Sequence, residues 1–171
     1  EFRRVLFRSE RFYIPLVGQI VLSPRWFAPT ADGVWVQAVH NEESVAIRIT
    51  WHDPSSSPDP AWQEWADRMA ATMTDVDGPL STVQGPDRLA VQFPMRLSNG
   101  MERPYFLGGS ARQPVYMWHW ASDPNRAEEG SATGLGTFVS LAAGAGLTHA
   151  ARFDRGAWEI QLDRKSTRLN S

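Results

Sequence analysis

The stretch that most constrains this chain is residues 87–120, DRLAVQFPMRLSNGMERPYFLGGSARQPVYMWHW. Two segments within it alternate. From Arg88 to Phe93, Leu89, Val91 and Phe93 take one side, and Arg88, Ala90 and Gln92 take the other. A period of two puts alternate side chains on opposite faces of a half-buried strand. Pro94 has no N–H to donate to a ladder and ends the segment. From Val115 to Trp120, Val115, Met117 and His119 oppose Tyr116, Trp118 and Trp120. Three large rings on one face require a deep apolar partner, either a second packed sheet or a flat ligand.

The rest of the chain reads in the same language. Val34–His40 (VWVQAVH) and Ser44–Trp51 (SVAIRITW) flank Asn41–Glu42–Glu43 as a hairpin, with Val45, Ile47, Ile49 and Trp51 inward. Phe12–Leu22 carries Pro15 and Gly18 and reads as an irregular edge strand. Trp62, Trp65, Ala66, Met69 and Met73 share one face of a 3.6-residue repeat, which predicts a helix starting at Asp59 or Pro60. Residues 121–136 are small and polar and read as a long loop, with a short strand over Thr137–Ala142. Thr148–Phe153, the turn Asp154–Arg155–Gly156 and Ala157–Leu162 form a closing hairpin. Short strands, frequent turns and a single helix predict an all-β fold, an antiparallel β-sandwich with one short helix in a loop excursion.

Composition narrows function. A net charge of −2 gives no footprint for nucleic acid. No apolar run approaches the roughly 18 residues needed to span a membrane. The chain has no Cys, which excludes disulfides and thiolate metal sites, while its eight Trp imply large flat contact surfaces. The ends, Glu1–Ser9 and Arg164–Ser171, are rich in Arg and Ser, break the neighbouring pattern and resemble translated sequencing adapters. They are expected to be non-native tails around a single domain at residues 10–163, itself a fragment of a longer polypeptide. Lys165, the only Lys, falls within a tail.

Catalytic motifs are absent. The four His (His40, His52, His119 and His149) have no HExxH spacing, and no Ser has a GxSxG context. Asp75 and Asp77 in DVDG lack the remaining positions of a calcium loop. Gly108–Gly109 precedes no helix and is no phosphate loop. The residues alone therefore favour a binding module with an apolar pocket over an enzyme.

Their order carries a family likeness. VWVQAVHNEESVAIRITWHDP, DRLAVQFP, RPYFLGGSARQPVYMWHWASDP and a closing strand with Gly–x–Trp together resemble the haem-binding domain of ethylbenzene dehydrogenase and dimethyl sulfide dehydrogenase γ subunits, which is related to cytochrome c-552-like proteins. The likeness covers nearly all of residues 10–163. It implies a sandwich holding one haem b, in the periplasm, passing electrons beside a molybdenum catalytic subunit and an iron–sulfur subunit, with no catalysis of its own. The implied haem contacts are Arg103, Tyr105, Phe106, Leu107, Gly108, Arg112, Trp118 and Trp120, the two Arg serving the propionates. The family ligates iron through Met and Lys. Here Leu107 or its neighbour stands at the Met position and the core has no Lys, so Met101 and His119 become the axial candidates, with Met95, Met117 and His40 nearby. The resemblance thus predicts a tetrapyrrole slot beside Leu107. The alternative expectation is a haem-free binding module, for example for carbohydrate, presenting Trp118 and Trp120 as an exposed platform.

Overall fold

The computed structural model describes residues 10–18, 31–54, 56–57, 60–61, 64, 68, 85–96, 103–141 and 146–165. Among these, nine strands form two antiparallel sheets: β1 (Phe12–Pro15), β2 (Gly33–His40), β3 (Ser44–His52), β4 (Arg88–Pro94), β5 (Val115–Ser122), β6 (Asn125–Ala132), β7 (Val139–Ser140), β8 (Leu147–Asp154) and β9 (Ala157–Lys165). The first sheet has the order β1-β2-β3-β9-β8 and the second β4-β5-β6-β7. The predicted sandwich is therefore the observed architecture.

The alternation explains the registers. In the β2–β3 hairpin Val36 faces Ile49 and Val34 faces Trp51. The last strand then docks on β3, setting Ile160 against Ile49 and Trp158 against Trp51, so the two ends of the described chain close one sheet. Apolar side chains thereby line up on one face. The β8–β9 hairpin turns through Arg155 (φ 50°) and Gly156 (φ 72°), the pair of left-handed residues that a tight two-residue turn requires.

The second sheet supplies the other half of the core. Trp118 (3% exposed) and Trp120 (0%) pack with Ile47, Ile49, Trp51, Trp158, Ile160 and Leu162 of the first. Trp120 meets Trp158 edge-on at 5.0 Å and Trp51 at 6.4 Å, while Trp51 and Trp158 lie 6.2 Å apart. This three-indole wedge joins the layers, and each such ring buries a large apolar area. The partner that the aromatic face of β5 requires is thus the first sheet.

Some expectations change. Residues 121–136, read as a loop, contain β6, which pairs with β5 from Val115↔Ala132 to Ser122↔Asn125. Val45, read as inward, is exposed near the start of β3. Strand β9 runs through Lys165, two residues into the segment set aside as a tail, and Arg164 there ion-pairs at 2.8 Å with the buried Glu129, which also accepts the Tyr116 hydroxyl. Pro60, Ala61, Glu64 and Arg68 are helical, whereas Trp62, Trp65, Ala66, Met69 and Met73 lie outside the described residues.

Candidate ligand cavity

The two sheets do not close everywhere. Where the edge strand β4 faces β1, β2 and β3, they bound an open-sided cavity of about 810 Å³. The first sheet contributes Ile14, Val34, Val36, Ile47, Ile49 and Trp51, and β4 contributes Leu89 and Val91. Apart from the exposed Ile14 these are the inward positions of the alternating segments, and Arg88, Ala90 and Gln92 of β4 also border the cavity. The wall is apolar because a period-two pattern places branched side chains on the face turned toward the other layer. The volume falls within the roughly 300–1,000 Å³ of small-molecule pockets.

Polar groups are few and committed. Asp53 Oδ2 accepts the indole N–H of Trp51 at 3.3 Å. Asp87 Oδ2 accepts the Trp158 indole N–H at 2.9 Å and the Ser57 backbone N–H at 2.7 Å. Ser122 completes the tie: its hydroxyl donates to the Ser57 carbonyl at 2.6 Å and accepts from the Asp87 N–H at 2.9 Å. Asp87 therefore links β9, the segment after β3 and the end of β5 at the cavity wall. Arg88 is exposed beside it and is the only basic residue among the described residues of the lining. Sequence reading overlooked Asp53, Asp87 and Arg88 as cavity groups. The available signal was a carboxylate at a strand end beside inward-facing tryptophans.

A smaller recess of about 240 Å³ lies on the outer face of the second sheet, lined by Phe106, Leu107, Gly108, Met117, Leu135 and Phe138, among others. The loop over it is fixed by Gln92, which donates to the Tyr105 carbonyl at 3.2 Å and accepts the Gly108 N–H at 3.1 Å. Gly109 then donates to the Tyr105 carbonyl at 2.8 Å with φ at 73°. A Cβ at Gly109 would stand 2.5 Å from the Gln113 carbonyl oxygen, so only glycine fits there.

The residues singled out from sequence are divided by this arrangement. Phe106, Leu107 and Gly108 line the outer recess, and Tyr105 packs on Phe106 at 4.7 Å with both rings exposed. Arg103 and Arg112 are exposed. Trp118 and Trp120 sit on the opposite face, inside the core, and offer no open platform. His119 is on the outer face with its ring 5.8 Å from Phe138. Burial holds its pKa below the ordinary 6.5, Arg88 adds to that depression, and Glu128 opposes it. Of the other sulfur and imidazole candidates, Met117 lines the outer recess, while Met95 and His40 are exposed. Met101 lies outside the described residues. None of these is among the described residues lining the 810 Å³ cavity, and no cluster of three or more His, Asp or Glu that could hold a metal occurs among the described residues. No helix among them is long and apolar enough to cross a membrane.

Comparison with known proteins gives two findings. A family model described as ethylbenzene dehydrogenase matches residues 14–140. A protein of Haloferax mediterranei, named as a proposed respiratory nitrate reductase haem subunit, is 34% identical over 136 residues. That match covers 80% of this chain and 40% of the relative, so the chain spans well under half of that protein's length.

Proposed function

The chain belongs to the ethylbenzene dehydrogenase family, and from that premise we propose that it is a haem-binding electron-transfer module of a molybdenum oxidoreductase complex. The observation that carries the reading is the apolar cavity between the sheets. A porphyrin needs a slot of this size with branched aliphatic walls and few competing polar groups, and the described lining meets that need. When bound, haem supplies one-electron chemistry. The chain's part is burial: Val36, Ile49, Leu89 and Val91 exclude water from the plane of the group, and Trp51 adds an aromatic wall. Arg88 borders this cavity, but its side chain belongs to the outer face of β4 beside His119, so the propionate-pairing role stays with Arg103 and Arg112 as the resemblance gives it.

Haem fits the cavity by size and polarity. It is not matched in donor chemistry, since the described lining has no thioether, imidazole or amine. Of the axial pair proposed from sequence, His119 stands on the outer face, beside Phe138, and Met101 lies outside the described residues. Haem b, a periplasmic location, and assembly with a molybdenum catalytic subunit and an iron–sulfur subunit belong to the same proposal. The family and the relative's name as a respiratory nitrate reductase haem subunit support a haem and a multi-subunit reductase, and the finer points rest on the sequence resemblance.

The test is haemin added to the full chain, read as a bound Soret band. Val36→Trp places an indole in the cavity and is expected to abolish the band while the far-ultraviolet circular dichroism stays that of a β protein. A chain that develops no bound Soret band, or a Val36→Trp variant that binds haemin undiminished, refutes the assignment.

A further inference from the structure

We propose that the outer face of the first sheet carries a further ligand site, for a neutral pyranose sugar. The site is separate from the cavity between the sheets and does not rest on what that cavity binds. Alternation along β2 sends Val34 and Val36 toward the core and Trp35 outward, and Tyr13 of β1 lies directly across from Trp35. The same row continues through Thr50 and Glu159, polar residues of the kind expected on the solvent side of an antiparallel sheet. The two rings are the exception. Trp35 is 38% exposed and Tyr13 48%, with their centroids 4.9 Å apart. With Asp32, His52, Asp53 and Pro54 they border an open hollow of about 400 Å³, within the range of small-molecule pockets.

A glycine places Tyr13. A Cβ on Gly33 would stand 2.5 Å from Cζ and Oη of Tyr13, so the phenol lies where a side chain would otherwise be. The rim is tied down as well. The Asp32 carbonyl accepts the Leu16 N–H at 2.9 Å, and the Asp53 N–H donates to the Gly156 carbonyl at 3.0 Å. The ligand class follows from charge. The Trp35 ring already carries a cation from within the chain: the Arg11 guanidinium lies 4.9 Å from its centroid and donates to the Thr50 hydroxyl at 3.1 Å. An added ammonium would stand beside that charge, and an added anion beside Asp32 and Asp53. A wholly apolar ligand would strip water from the carboxylates and give nothing back. A neutral polyol avoids all three costs. Its C–H face packs on the exposed rings, while its hydroxyls donate to Asp32 and exchange hydrogen bonds with the His52 imidazole.

The experiment titrates the full chain with the methyl pyranosides of glucose, galactose and mannose, following the Trp35 indole N–H resonance by NMR. Glucosamine and glucuronate, which add one positive or one negative charge to the same ring, are run beside them. A saturable shift with at least one neutral glycoside is expected, at a dissociation constant of about 10 mM or tighter. Gly33→Ala pushes only on the free end of the Tyr13 side chain. This variant and Tyr13→Ala are each expected to weaken binding at least about fivefold while the far-ultraviolet circular dichroism stays unchanged. The inference is overturned if no neutral glycoside shifts the resonance, if glucosamine or glucuronate binds more tightly than every neutral glycoside, or if either variant binds undiminished. None of these outcomes bears on the haem assignment, which has its own test.

Discussion

Replacing Asp87 tests the link between the two sheets at the cavity wall. Its carboxylate accepts from the Trp158 indole at 2.9 Å and from the Ser57 N–H at 2.7 Å. Trp158 is 7% exposed and Ser57 9%, so water cannot readily replace a lost acceptor for either. A hydrogen bond to a charged group contributes about 1.5–3 kcal/mol, and a stranded buried donor costs about 1–3 kcal/mol. Asp87→Ala strands two, so a loss of about 3–5 kcal/mol is expected after partial relaxation. Asp87→Asn keeps a neutral acceptor in place and is expected to lose about 1–2 kcal/mol. With a urea m value of about 2 kcal/mol/M, Asp87→Ala lowers the unfolding midpoint by roughly 1.5–2.5 M. Tryptophan fluorescence during urea unfolding reads this directly. Trp158→Phe in both backgrounds closes a double-mutant cycle, and its effect should shrink once Asp87 is gone. An Asp87→Ala loss below about 1 kcal/mol, or equal losses for Ala and Asn, shows that the carboxylate does not hold the layers together.

Three further outcomes follow from other positions. Ile160 is fully buried, so Ile160→Ala should cost about 2–5 kcal/mol by calorimetry, transfer and cavity terms combined. Gly109→Ala meets both a left-handed backbone and the Gln113 carbonyl. It should cost about 1–3 kcal/mol and shift the amide resonances of the loop from Tyr105 to Gln113 in an NMR spectrum. His119 has a folded pKa below 6.5, so the unfolded chain binds a proton there before the folded chain does. Its contribution to stability therefore falls as pH drops through 6.5 and stops falling below the folded pKa. His119→Gln should flatten that limb of a stability–pH profile, and an unchanged slope refutes the role.

The fold was legible where period and chemistry agree. Val34–His40, Ser44–Trp51 and Ala157–Leu162 alternate cleanly, and each lies within an observed strand with its large apolar side chains inward except Trp35 and Val45. Strand β6 was not legible, because NRAEEGSA has no aromatic or β-branched residue. What makes it a strand is the open edge of β5, which needs a hydrogen-bonded neighbour, and the shelter given to Glu129 by Tyr116 and Arg164. The site was legible only in part. Aromatic weight on β5 pointed to a ligand or a sheet, and composition does not separate those two. Which side of β4 holds the larger hollow depends on how far apart the layers stand at their edge, a distance set by the whole sandwich rather than by any local pattern.

Strand β4 has a consequence of its own. Ala90 and Gln92 border both the interior hollow and the recess outside. A single ply of backbone is all that separates them. The loop from Tyr105 to Gly108 hangs on that ply through one glutamine amide. Anything that presses on the loop from outside therefore bears on the chamber wall, which makes this partition the thinnest route by which a surface event is felt within.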